Sequence, residues 1–287
     1  MRVLVLGGGG QVARAVLAAA PDPAQVVAKS RAELDIADER AVARALADSR
    51  ADWVVNGAAY TAVDLAEDHA AQAFAVNDAA AGVLAAASSA AGCRLLHLST
   101  DFVFDGRSNR AYAPADEASP LSVYGASKLG GERRVLNGGE GIVLRTAWVY
   151  AAEGRNFVLT MLRLMREKEQ VSVVCDQIGT PTWAGGIAAA IWGFIDADAP
   201  GGVYHWTDLG VASWYDFAVA IQEEALARGL LSRAVPVRPI PSSAYPTRAR
   251  RPAFSVLDSG STRTLIGVPG QHWRHNLRIM LDELRTS

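Results

Sequence analysis

The chain has 287 residues, 50% of them hydrophobic and 20% charged, enough apolar mass for one large domain or two interlocked ones. That composition excludes a disordered or disulfide-stapled chain. Lys and Arg number 28 against 30 Asp and Glu, a formal charge of -2, so no bulk field draws the protein to nucleic acid or to anionic lipid.

The first apolar run, Val3 to Leu6, meets glycines at once and is too short for a signal-peptide core; it reads as a strand buried on both faces. Gly7 to Gly10 then form a turn, and a helix-compatible stretch from Gln11 to Ala20 ends at Pro21. Strands are predicted at Val26 to Ala28, Trp53 to Val55, Leu95 to Leu98 and Ile142 to Arg145, with helices at 41–47, 72–91 and 124–137 between them. This alternation predicts an α/β fold with a Rossmann-type doubly wound parallel sheet. Further on come a helix at about 156–168, a strand at Val171 to Val174, a helix over 184–195, a strand at Val203 to His205 and a helix over 214–228. Five prolines between 236 and 252 bar a regular helix and predict an ordered loop passing over a site. The alanine-rich stretch 79–91 falls short of the roughly 20 apolar residues that span a bilayer, and is expected to be a packed helix of a soluble protein. Cys93 and Cys175 lie far apart and outside any Cys-x-x-Cys pattern, which suits reduced thiols in a cytoplasmic protein.

Gly7-x-x-Gly10-x-x-Ala13 sits between the first strand and the first helix, where small residues let the backbone approach a pyrophosphate at a helix N-terminus. The carboxylate that would bind an NAD ribose after the second strand is missing. Lys29-Ser30-Arg31 stands there instead, and its basic and hydroxyl groups suit a 2′-phosphate. NADPH is therefore expected over NADH, with Ser30 and Arg31 as contacts.

Tyr124 and Lys128 are four residues apart, neighbours on one helix face, and a Lys cation beside a phenol favours the phenolate. Gly125 and Ala126 between them are expected to leave room for a cofactor ring. Ser99-Thr100-Asp101 follows a strand at the carboxyl edge of the sheet, where ligands bind in this architecture. The glycine turn, the strand-end hydroxyls and the Tyr-x-x-x-Lys helix resemble the short-chain dehydrogenases/reductases in order and spacing.

Within that superfamily, four segments carry a closer resemblance: Gly7 to Val12, Asn56 to Asp64, Ser99 to Gly106 and Tyr124 to Glu132. With Arg145 to Tyr150, Asp176 to Thr182 and Ser243 to Thr247, they make nearly the whole chain similar to the dTDP-4-dehydrorhamnose reductases. The resemblance implies hydride transfer from NADPH or NADH to C4 of dTDP-4-dehydro-L-rhamnose. It implies Tyr124 as proton donor, Lys128 as the residue that holds the nicotinamide ribose and lowers the tyrosine pKa, and Thr100 at the sugar carbonyl. It places Asp101 and Trp148 against substrate. On the cofactor side it places Gln11 and Val12 with the glycine turn, Asp35 and Ile36 near the adenine, and Ala59, Tyr60 and Thr61 after the third strand. Residues 1–155, with about 184–215 returning, would form the dinucleotide-binding domain, and 156–183 with 216–287 a smaller α/β domain for the nucleotide sugar. There Arg248, Arg250 or Arg251 is expected on the diphosphate, with Arg251 as the candidate substrate-binding residue. No metal is expected, because Ala13-Arg14-Ala15-Val16 stands where some relatives carry a glutamate that binds Mg2+ between subunits. The chain would act as a monomer or homodimer, without nucleic-acid or membrane partners. Two other readings stay open: reduction of another nucleotide 4-keto-6-deoxysugar, or a non-catalytic role like that of the regulatory β subunit of methionine adenosyltransferase.

Overall fold

The computed structural model describes residues 1–286. Strand β1 (Val3–Leu6) leads through the glycine turn into α1 (Gln11–Ala18), followed by β2 (Val26–Lys29), α2 (Glu39–Ser49), β3 (Trp53–Asn56) and α3 (Ala70–Ala91). Then come β4 (Arg94–Thr100), α4 (Val123–Asn137), β5 (Ile142–Thr146), α5 (Phe157–Glu167), β6 (Val171–Val174), α6 (Ala184–Asp196) and β7 (Gly202–His205). The chain closes with α7 (Trp214–Ala227), β8 (Val237–Ile240), α8 (Gly260–Ile266) and α9 (Trp273–Thr286).

Six strands form one parallel sheet in the order β7-β5-β4-β3-β1-β2. Its strands are apolar runs because helices cover both faces. Val3 and Val5 pack with Val16, Leu96 and Ile191 on one side, Leu4 and Leu6 with Leu34, Val54 and Leu84 on the other. Helix α6 belongs to the first of these layers, where the Trp192 indole donates to the Val16 carbonyl at 3.1 Å. The strand order turns back between β1 and β3, the kind of switch point beyond whose carboxyl ends ligands bind in such sheets.

Helix starts are marked by side chains that satisfy the otherwise orphaned first N–H groups. Asp38 caps α2, Ser122 caps α4, Asn156 caps α5, and Ser213 with Asp216 forms a capping box on α7. Helix α1 has no side-chain cap, so its first amides remain available. Helix α3 is long and apolar enough to cross a membrane by length and composition, but it packs against α2 and α4. A π turn at Ala75–Ala79 interrupts it.

A second core joins α5, α7 and α9 around Met165, Phe217, Ile221, Leu277 and Met280. Its polar edge is Glu224, which pairs with Arg228, Arg274 and Arg278. Helix α8 is on the other side, with Ile266 in the layer beside α6. The loop expected over 236–252 is only partly a loop. Residues Val237–Ile240 form β8, parallel to β6, with Pro239 opposite Val173. Proline is tolerated there because the pair is a two-stranded ribbon in which a missing N–H on the outer edge breaks no ladder.

Candidate active site

Thr100 ends β4 and caps the short 3-10 turn after it, accepting from the Phe102 amide at 3.2 Å. That turn holds Asp101, whose carboxyl accepts from the Thr100 hydroxyl at 3.1 Å. Burial pushes Asp101 up to about 6, against hydrogen bonds from Ser255 and Thr100 that favour its charged form. Tyr124, in the first turn of α4, meets Phe102 edge-on at 5.7 Å and makes a side-chain hydrogen bond with Thr100. Helix α4 can approach the β4 turn this closely because residue 125 is glycine: a Cβ there would collide with the Phe102 carbonyl oxygen. The space expected for a cofactor ring at Gly125 is thus filled by the protein's own backbone.

Burial pushes the Tyr124 phenol up to about 12, with the Asp101 charge adding and the Thr100 hydrogen bond opposing. The expected lowering by Lys128 is absent, for a geometric reason. Lys128 Nζ is engaged elsewhere, 2.6 Å from the Leu98 carbonyl and 3.2 Å from His97 Nε2. Burial draws Lys128 down to about 8, while Glu132 acts in the opposite sense.

Around the switch point, Gly7 has φ +80°, and a Cβ on it would lie 2.7 Å from the Ala58 amide nitrogen. Gly10 donates to the Gly7 carbonyl at 2.8 Å, closing the turn in front of the uncapped N-terminus of α1, where Gln11 and Val12 begin the helix. Such a cradle of open amides at a helix N-terminus fits a pyrophosphate. Ser30 is less open than its sequence position implies: its amide and hydroxyl both donate to Glu33, at 2.8 and 2.6 Å. Arg31 and Asp35 are exposed, and Asp35 accepts from the Ala37 amide. The Ile36 side chain is buried with Leu34 and Val42. Ala59, Tyr60 and Thr61 follow β3; Asn77 accepts from the Tyr60 amide at 2.8 Å and donates to its carbonyl at 3.0 Å.

Trp148, expected against substrate, lies flat on Trp214, ring centroids 3.5 Å apart and planes within 4°. Its backbone has φ +47°, a left-handed conformation that a bulky residue adopts only under constraint. Arg251 is not unengaged: it pairs with Asp64 at 2.6 Å, and Asp64 also accepts from the Ala249 amide. Arg248, in the strap formed by residues 241–252, pairs with Asp68, and Arg250 is exposed.

The sequence profile of the RmlD substrate binding domain matches residues 1–286. The chain belongs to that family. It is 43% identical to a dTDP-4-dehydrorhamnose reductase of Burkholderia thailandensis, across 99% of both chains. Its fold superposes on a dTDP-4-dehydrorhamnose reductase of Clostridium acetobutylicum with TM-score 0.92 at 34% identity, covering 99% of this chain and 100% of that one. A dTDP-4-dehydrorhamnose reductase of Bacillus anthracis solved in complex with NADP gives TM-score 0.92 at 31% identity, covering 98% and 99%.

Several polar residues shape the site of this RmlD-family chain without a role assigned from the sequence, although Asn56, Ser127 and Glu132 lie in the segments that carry the resemblance. Asn56, Asn77, His97, Ser127 and Glu132 are all buried. Asn77 reaches Ser127 at 3.0 Å from the π turn of α3, and Ser127 donates back to the Tyr124 carbonyl at 2.8 Å. Glu132 holds Arg145 bidentately at 2.9 and 2.7 Å and accepts from Ser99. For His97 the signal is a polar side chain inside the otherwise apolar run Leu95 to Leu98.

Proposed function

We propose that this chain reduces the C4 ketone of dTDP-4-dehydro-L-rhamnose to give dTDP-L-rhamnose, with NADPH as reductant. The observation that carries the reading is the Thr100–Tyr124 pair, a buried hydroxyl against a half-buried phenol, at the carboxyl edge of the sheet beside an open glycine cradle, in a chain that shares 43% of its residues with a dTDP-4-dehydrorhamnose reductase. Residues 1–155 with about 184–215 form the cofactor side, and 156–183 with 216–287 the sugar-nucleotide side.

The glycine cradle from Gly7 to Gly10, with Gln11 and Val12, would hold the pyrophosphate of NADPH. Ser30 and Arg31 would take the 2′-phosphate once Ser30 exchanges Glu33 for it. Asp35 and the Ile36 backbone would border the adenine, Ala59 to Thr61 the middle of the cofactor, and Tyr124 and Lys128 the nicotinamide ribose. The bound nicotinamide supplies the hydride. A phenol raised to about 12 keeps its proton at neutral pH, so Tyr124 is a donor to the sugar O4 as that oxygen gains charge. Thr100 would orient the carbonyl oxygen toward the phenol. Asp101 and Trp148 would contact the sugar, and Arg251 the diphosphate after release from Asp64.

The test is loss of the reduced-nicotinamide absorbance with dTDP-4-dehydrorhamnose generated enzymatically in the same cuvette. Oxidation should require the sugar, and Tyr124→Phe should lower kcat by about 10²-fold or more while NADPH still binds. Sugar-dependent turnover that survives Tyr124→Phe would remove the donor assignment, and oxidation with only a different ketosugar would reassign the substrate.

A further inference from the structure

His97 sits in the middle of β4, 1% exposed, with a hydrogen-bonding group fixed on each ring nitrogen. On one side, the Ala58 amide lies 3.1 Å from Asn56 Oδ1. A backbone N–H can only donate, so this contact orients the Asn56 amide and puts its nitrogen 2.9 Å from His97 Nδ1. An amide nitrogen can only donate as well, which makes Nδ1 the bare nitrogen of the ring. Burial keeps this histidine neutral by holding its pKa well below the ordinary value. Its one proton is then on Nε2, 3.2 Å from Lys128 Nζ.

Nζ also lies 2.6 Å from the Leu98 carbonyl, to which it must donate. An amine has a lone pair left for the Nε2 proton; an ammonium has none and would meet it donor to donor. The chain of bonds from Ala58 through Asn56, His97 and Lys128 to Leu98 therefore runs in one direction and closes only with the amine. We propose that His97, oriented by Asn56, is a positioning residue that makes Lys128 a proton-exchanging amine rather than a permanent cation. Its charged and titratable neighbours agree with this assignment. Glu132, one turn along α4, favours the cation, but its carboxylate is neutralised by Arg145 of β5. From β3 and α3 only the neutral Asn56 and Asn77 reach this layer. The kinetic consequence rests on the reductase reading: the positive charge that Lys128 would offer the nicotinamide ribose is lost above its midpoint, so activity falls on the alkaline side at a pH that His97 sets.

The tests use the full chain. Long-range 1H–15N spectra of the cofactor-free protein should show His97 protonated on Nε2 alone; a proton on Nδ1 would overturn the proposal. Titration of the Lys128 ε-carbon shift should give a midpoint near 8. Asn56→Asp still accepts from Ala58 but offers Nδ1 an acceptor, which moves the ring proton to Nδ1 and leaves Nε2 to accept from an ammonium. The Lys128 midpoint should then rise by a pH unit or more, and the alkaline limb of kcat/KM with it. A ring proton that switches without moving the Lys128 midpoint would sever the coupling. The spectra need neither cofactor nor substrate, so they decide the proposal even if the chain fails to reduce the sugar.

Discussion

Glu132→Gln tests how the site's framework is held. Glu132 and Arg145 are 1% and 4% exposed and join α4 to β5 through two parallel hydrogen bonds, with Ser99 of β4 as a third partner. Removing one charge from a buried pair leaves the other uncompensated, at a cost of about 3–5 kcal/mol. Gln keeps one acceptor oxygen in nearly the same place, so the expected loss is at the lower end, about 3 kcal/mol. With a urea m-value of about 3 kcal/mol/M, the unfolding midpoint should fall by about 1 M with the slope unchanged. Arg145→Met alone should be comparably destabilising, but Glu132→Gln with Arg145→Met should cost clearly less than the two singles added, because it leaves no unpaired charge. A single-variant loss under about 1 kcal/mol, or strict additivity in the double variant, would refute the view that this pair is a coupled framework element.

Two other expectations follow from the same coordinates. Burial raises Asp208 to about 7, against hydrogen bonds from Asn276 and the Trp183 amide, so the native state binds a proton that the unfolded chain releases near pH 4. Its stabilising contribution is complete below pH 4 and lost as pH rises to about 7, so Asp208→Asn should raise the Tm relative to the parent at pH 8 and not at pH 4; an equal shift at both would reject the assignment. Asp64→Asn frees Arg251 from a partly exposed ion pair of about 0.2–1 kcal/mol, so dTDP should bind up to about fivefold tighter by calorimetry, and weaker binding would show that the strap must stay latched to Asp64.

The six-stranded sheet was legible because its strands are buried on two faces and read as apolar runs, as at Val3 to Leu6 and Ile142 to Leu144. Tyr124, Lys128 and Thr100 were legible as residue types at a spacing, but the direction in which each side chain points was not. Lys128 turns to Leu98 and His97 because of partners on β4 that no helix periodicity reveals. The same holds for Arg251, whose partner is 187 residues away along the chain. Strand β8 was hidden because Pro239 argues against a ladder, and only its position in a two-stranded ribbon removes the objection. The π turn in α3 left no trace in an alanine-rich segment, although it is where Asn77 reaches both Tyr60 and Ser127.

Strand β7 pairs with β5, yet about sixty residues separate them in the chain, including the whole of α5, β6 and α6. During synthesis the sheet therefore stays open along β5 until residue 205 has emerged, with the Ile142, Val143 and Leu144 backbone unpaired on that side. A nascent chain halted near residue 155 would present a bare apolar strand edge, which is an invitation to pair with another copy. The late return of β7 thus makes completion of the first lobe wait on translation of the second, so a fragment cut at 155 should aggregate rather than fold as a small nucleotide-binding module.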